Sequence, residues 1–456
     1  MNTLFFLKTP LKLNRLLLLI SFNMLFGQRV VGYYPQWVQS GFPISNIDLS
    51  VVTHVNHAFA WPDENANIQS YDNMFNASNA QTIHDQGRKF LLTLGGWGND
   101  VGFATVAASP SLRITFIDNL IDICDIYGYD GVDLDWEHPN SSENSQNLNL
   151  LVAEMDSMFD AHDSELLITM AVPVSNWSGQ WYDFPFLKSH VDFFNAMTYD
   201  MHGGWSSHAG HNSPLFQSPP GDLDGSCSTA IGYLVTTRGI PRSQINLGLP
   251  FWGKKYQATD INESFSGDVI DMWYYEIPPL IGNGWSYQWD SNAFCPYLIK
   301  DDQSRIITYD DPESIGYKCE YAKDQDLGGV MIWALGYDVT VDGQELIESI
   351  GVNYLDSPID EKGMVPGQFS VRAYPNPFNS NCIIEFELLQ DEFLNIDLYS
   401  IRGEFIERLH SGNEKKGARR YAWSVNGMEH EISSGVFFIS VNGMVTNAIQ
   451  KIMYLK

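Results

Sequence analysis

Cysteine is scarce in this chain: the 456 residues hold five, Cys124, Cys227, Cys295, Cys319 and Cys382, with no CxxC pair and no regular spacing. Such a set argues against a disulfide framework and against a thiolate zinc site, and the five are expected to be small buried hydrophobes. Basic residues are also few, 26 against 55 acidic ones, and the deficit is uneven. Residues 1–27 carry 3 basic and no acidic groups, residues 28–365 carry 14 and 45, and residues 366–456 carry 9 and 10. A middle segment with a net charge of −31 repels phosphate backbones and anionic lipid. Nucleic acid and acidic polysaccharide are therefore not expected partners, whereas a neutral polymer is compatible. Apolar runs long enough to cross a bilayer are missing as well. The run Leu16 to Ile20, resuming at Met24 to Phe26, follows Lys8, Lys12 and Arg15 and stops at Gly27. It reads as a secretory signal peptide over residues 1–27, so the mature protein is expected to have no membrane span and to be secreted or held at the outer surface.

What is present is an alternation of short apolar runs and helical spacing. Strand-like runs begin at Arg29 and recur at Thr53 to Trp61, Lys89 to Trp97, Gly131 to Glu137, Leu166 to Pro173, Val191 to Asp200, Gln244 to Phe251 and Gly328 to Leu335, eight in all. Helical spacing fills several gaps, as in Leu148, Leu151, Val152, Met155 and Phe159. Strands this apolar, alternating with helices, imply a parallel sheet covered by helices, and eight of them predict an α/β fold closed as a (β/α)8 TIM barrel over residues 28–355. The stretch from Tyr256 to Ile307 is longer than a helix requires and reads as a small insertion after strand 7, whose Trp273, Trp285 and Trp289 could wall one side of a groove. Residues 356–368 read as a linker. From Phe369 the chain turns to short alternating runs, which predict a small all-β Ig-like sandwich over residues 369–456.

The stretch that organises the rest is Asp130-Gly131-Val132-Asp133-Leu134-Asp135-Trp136-Glu137. Side chains alternate along a strand, so Asp133, Asp135 and Glu137 share one face while Val132, Leu134 and Trp136 share the other. Ser109 as N-cap, Pro110 at the first helical position, Phe116, Leu120 and Cys124 at helical spacing and Gly128 as terminator predict a helix packed before this strand. Carboxylates in low dielectric cost several kcal/mol each unless paired. Three facing a barrel interior cannot all ionise together, so at least one should hold its proton near neutral pH and serve as a general acid.

This octet resembles the DGxDxDxE motif of family 18 glycoside hydrolases, the chitinase family, at five fixed positions in eight. Thr93-Leu94-Gly95-Gly96 is similar to the family's SxGG motif, with Thr keeping the hydroxyl, and Met197-Thr198-Tyr199-Asp200 to its MxYD motif. The resemblance covers about residues 29 to 350. It implies a secreted retaining hydrolase of β-1,4-linked N-acetylglucosamine chains, with chitin or its oligomers as partner. In it Glu137 would be the acid and then the base, Asp135 would orient the substrate's N-acetyl group, and Asp133 would share a proton behind it. Tyr199 would donate to the acetyl carbonyl, Asp200 would contact the same sugar, Trp333 would form its floor and Tyr33 would support the aspartate pair. Trp97, Trp136 and Met197 are further candidates for sugar contact, since the apolar face of a sugar stacks on indole. The acetamido oxygen would replace a second carboxylate nucleophile. An endo-β-N-acetylglucosaminidase acting on protein glycans and a non-catalytic chitin-binding lectin remain alternatives.

No cofactor and no metal site are expected, because His202, His208 and His211 lack a matching carboxylate spacing and read as a solvated loop. A monomer is expected. The C-terminal segment resembles the sorting modules of type IX secretion through Tyr374-Pro375-Asn376-Pro377-Phe378-Asn379 and Ser434-Gly435-Val436-Phe437-Phe438, which implies the export machinery as a partner.

Overall fold

The computed structural model describes residues 28–355 except residue 342, and residues 371–454 except 375–377, 379, 389, 401–404, 426–434 and 444–446. The expected signal peptide and linker, together with the residues of the sorting motif that fall in these gaps, lie outside the described residues. Contacts divide the chain into two compact units, Met1–Ser357 and Pro358–Lys456.

In the first unit the eight expected strands all form: Arg29–Pro35, His54–Pro62, Lys89–Gly95, Gly131–Asp135, Leu167–Val172, Phe193–Ala196, Ile245–Pro250 and Gly329–Trp333. Each pairs in parallel with its neighbours, and the first pairs with both the second and the eighth, so the sheet closes on itself. The strands are buried almost throughout, which is why they read as apolar runs without alternation. The helix Pro110–Tyr127 begins where Ser109 Oγ accepts the Leu112 N–H and ends at Gly128, whose φ of 76° only glycine adopts freely. It buries Phe116, Ile117, Leu120 and Cys124 against the barrel, and the helix Ser142–His162 buries Leu148, Leu151, Val152, Met155 and Phe159.

After the seventh strand the chain builds a five-stranded antiparallel sheet between Trp252 and Thr308 rather than a single helix. Of the three insertion tryptophans, Trp273 lines a cleft. It stacks on Tyr337 with centroids 4.7 Å apart and, with Trp37, Phe42 and Tyr275, walls a space of about 290 Å³. All five cysteines are buried and free. The second unit holds a three-stranded and a four-stranded antiparallel sheet that share one apolar core, including Cys382, Ile384, Leu394, Ile396, Ile439 and Ile452.

Candidate active site

Two glycines set the carboxyl strand in place. Gly131 lies at φ 135°, and a Cβ there would overlap the Leu167 carbonyl of the next strand. Gly95, at φ 115°, is similarly pressed on the Asp135 carbonyl, which accepts the Gly96 N–H at 2.9 Å. Gly95 thus lets the third strand approach at the point where Asp135 leaves the barrel.

Asp133 is fully buried and accepts three hydrogen bonds: Tyr33 Oη at 2.7 Å, Thr169 Oγ1 at 2.5 Å and Asn195 Nδ2 at 3.0 Å. Burial pushes its pKa up and the three donors oppose that rise. Asp135, one step nearer the mouth, is also buried, and its Oδ1 has no hydrogen-bond partner. Burial first, then the charges of Glu137 and Asp133, hold its pKa well above the usual carboxylate range. Of the two aspartates, Asp133 is the better stabilised anion and Asp135 the more strongly disposed to keep a proton. Glu137 is pushed up to about 7 by burial and by the charges of Asp200 and Asp100. Three carboxyls along one strand therefore differ in proton affinity, and the outermost is poised to exchange a proton near neutrality.

The barrel interior supplies the surroundings. Tyr199 is held edge-on to Trp252, its hydroxyl meets only the Met331 sulfur at 4.0 Å, and burial keeps it protonated. Met197 packs with Tyr33, Tyr199 and Trp333 in one interior cluster. Trp333 also approaches Phe59 and Trp37, with centroids 5.7 and 6.3 Å away. Asp200 sits at φ 57° and forms an ion pair with the buried Lys254 at 2.7 Å. Trp97 and Trp177 are 77% and 73% exposed and flank His138, which follows Glu137. They form an open aromatic rim beside the carboxyls. Trp136 is a correction: it is buried, stacked on Phe103 at 5.5 Å and 12°, on the helix side of the strand. Strand alternation that points Glu137 inward points Trp136 outward, so its ring does not reach the cleft; only its backbone carbonyl, accepting from Tyr182 Oη at 2.8 Å, shapes the turn.

Sequence reasoning did not single out Thr169, Asn195, Lys254 or Trp177. Asn195 was findable, since Asn195, Met197 and Tyr199 alternate along the apolar run from Val191 to Asp200, and Thr169 is a lone hydroxyl in an apolar run. Lys254 carried no such signal. The histidine expectation is also corrected: His202 and His211 are buried rather than solvated, and Asp222 and Asp224 stand beside His202 and His208.

A closed parallel barrel with graded carboxyls at the C-terminal end of one strand defines the class, a barrel glycosidase. Residues 29–338 match Glycosyl hydrolases family 18, and the chain belongs to that family. Residues 372–455 match a secretion system C-terminal sorting domain. Among curated relatives, a probable endochitinase of Caenorhabditis elegans is 30% identical over 67% of this chain and 55% of its own length. Chitinase A1 of Niallia circulans is 28% identical over 68% and 56%. The chain thus spans about half the length of these curated relatives. Among solved structures, the Group IV chitinase of Ostrinia furnacalis in complex with allosamidin is 27% identical with a TM-score of 0.66, covering 71% of this chain and 98% of its own. Catalytic domain 2 of the Group II chitinase of the same insect has 25% identity and a TM-score of 0.67, covering 72% of this chain and 97% of its own.

Proposed function

We propose that this protein is an exported retaining chitinase, acting as a monomer on β-1,4-linked N-acetylglucosamine chains by substrate-assisted catalysis. The observation that carries the reading is the pairing of an unsatisfied buried Asp135 oxygen with a Tyr199 hydroxyl that bonds no oxygen or nitrogen, both beside a Glu137 that titrates near pH 7. An acetamido group offers an N–H and a carbonyl, which match those two unused groups. Asp133 is enclosed by three donors, and a second carboxylate nucleophile is unnecessary when the substrate's acetamido oxygen attacks.

In this mechanism Glu137 gives its proton to the glycosidic oxygen as the bond to the anomeric carbon breaks. The acetyl oxygen, held by Tyr199 and Asp135, closes on that carbon from the other side to form an oxazolinium. Glu137, now ionised, takes a proton from water as it opens the ring, and the configuration is retained. Tyr33 and Asp133 steady the Asp135 proton, Asp200 contacts the same sugar, and Trp333 with Met197 forms the apolar floor. The exposed Trp97 rim suits an extended sugar chain, and the C-terminal domain serves delivery. Product analysis of the protein on N-acetylglucosamine oligomers and on a high-mannose glycoprotein tests the assignment. Shortened oligomers are expected. Release of glycans from the glycoprotein with the oligomers left intact would contradict it, as would tight oligomer binding without cleavage.

A further inference from the structure

Beyond the carboxyl cluster, the loop that follows Asp200 gathers four potential ligands that have no part in the proposed reaction. His202 Nε2 lies 2.9 Å from Asp222 Oδ2 and 3.6 Å from Asp224 Oδ2, and His208 Nε2 lies 3.2 Å from the same Asp222 oxygen. All four ligand atoms fall within 4.8 Å of one another. A tetrahedral zinc with bonds of about 2.0 Å has ligand atoms about 3.3 Å apart, so these spacings already approximate its edges.

The hydrogen-bond pattern argues for a cation independently of the spacing. His202 Nδ1 lies 2.9 Å from the His211 carbonyl, which can only accept, so Nδ1 carries the proton. Its Nε2 is thereby turned toward two carboxylate oxygens, 2.9 and 3.6 Å away, the position from which an imidazole ligates a metal. Asp224 Oδ2 is buried and has no hydrogen-bond partner, although it faces this point. A backbone carbonyl fixing the far nitrogen of an imidazole is the arrangement that orients a metal-binding histidine.

We propose that His202, His208, Asp222 and Asp224 bind one divalent transition-metal ion in a closed structural site. Two imidazoles and two carboxylates suit zinc and its neighbours, and the nitrogen ligands disfavour calcium and magnesium. The ion neutralises the two carboxylates and ties residues 202–224 together. That loop is already bound to the exit of the sixth strand, because Asn212 Oδ1 accepts the Asp200 N–H at 3.1 Å. His208 and Asp224 remain partly exposed, which gives the ion a route in from solvent.

The test uses the whole protein stripped with a chelator, then titrated with zinc chloride by calorimetry while its melting temperature is followed. One zinc per chain, a melting temperature that rises with zinc but not with magnesium, and reversal by chelator are expected. His208→Ala and Asp224→Asn alter the partly exposed ligands, so each should melt like the metal-free parent and lose the zinc-dependent rise. A parent with no stoichiometric zinc would overturn the proposal. An equal zinc response in both variants would also overturn it, since the ion would then be held elsewhere.

Discussion

Glu137 holds its proton to about pH 7 because the fold buries it beside Asp200 and Asp100, and the same placement makes it costly to keep. Its ordinary pKa is 4.5, so between pH 4.5 and 7 the unfolded chain ionises this group more readily than the folded one. The stability its protonated form permits is complete below pH 4.5 and is lost as pH rises through 7. Glu137→Gln removes the titration. The variant should gain on the parent from pH 4.5 to 7 by about 3 kcal/mol and hold that lead above, read from melting temperatures at several pH values. It should also lower turnover by 10²-fold or more while oligomer binding stays within a few-fold. A stability gap that does not change with pH, or an unchanged turnover number, contradicts the placement of Glu137. At this scale the sequence was informative where strand alternation decided the outcome. Asp133, Asp135 and Glu137 share a face, as two-residue periodicity requires. The same rule put Trp136 on the opposite face, and assigning it to the sugar site set that rule aside. His202 and His211 were misjudged because burial in a loop leaves no periodic trace.

At the scale of elements, the eight strands were legible because a parallel barrel buries both faces and writes uninterrupted apolar runs. The insertion was visible only as excess length. Its strand Ser266–Trp273 is largely exposed and mixes charged with apolar residues, so neither composition nor period marked it. Lys318 shows another kind of blind spot. It sits on the buried side of the helix Pro312–Asp324, where its Nζ meets Asp310 at 2.6 and 2.7 Å and Ser213 Oγ at 2.8 Å. Ser213 Oγ in turn donates to the Thr198 carbonyl at 2.6 Å, so the buried pair props the strand exit that carries Tyr199. Removing one partner of such a pair leaves a buried charge alone. Lys318→Met should therefore cost about 3–5 kcal/mol of unfolding free energy, measured by urea denaturation at neutral pH. A loss below about 1 kcal/mol would show that Asp310 finds another partner.

On the scale of the whole molecule, the proposed function divides chemistry from delivery between the two units. The acidic charge belongs to the barrel segment and repels polyanions. The second unit matches a sorting domain and has its own core, so removing residues 358–456 should leave kcat on soluble oligomers unchanged while the protein stays in the periplasm of its host. Fractionation of cells and medium reads this directly, and normal release of the shortened protein would refute it. Between the units the sequence changes period, from a barrel's apolar runs to short alternating ones. The central claim is that the substrate's acetamido group, held by Asp135 and Tyr199, is the nucleophile. NMR of fresh product from N-acetylglucosamine oligomers, with fully deacetylated oligomers as a parallel substrate, tests it most directly. The account predicts the β anomer first and no cleavage of the deacetylated chains; an α anomer first, or deacetylated chains cut at a comparable rate, would contradict it.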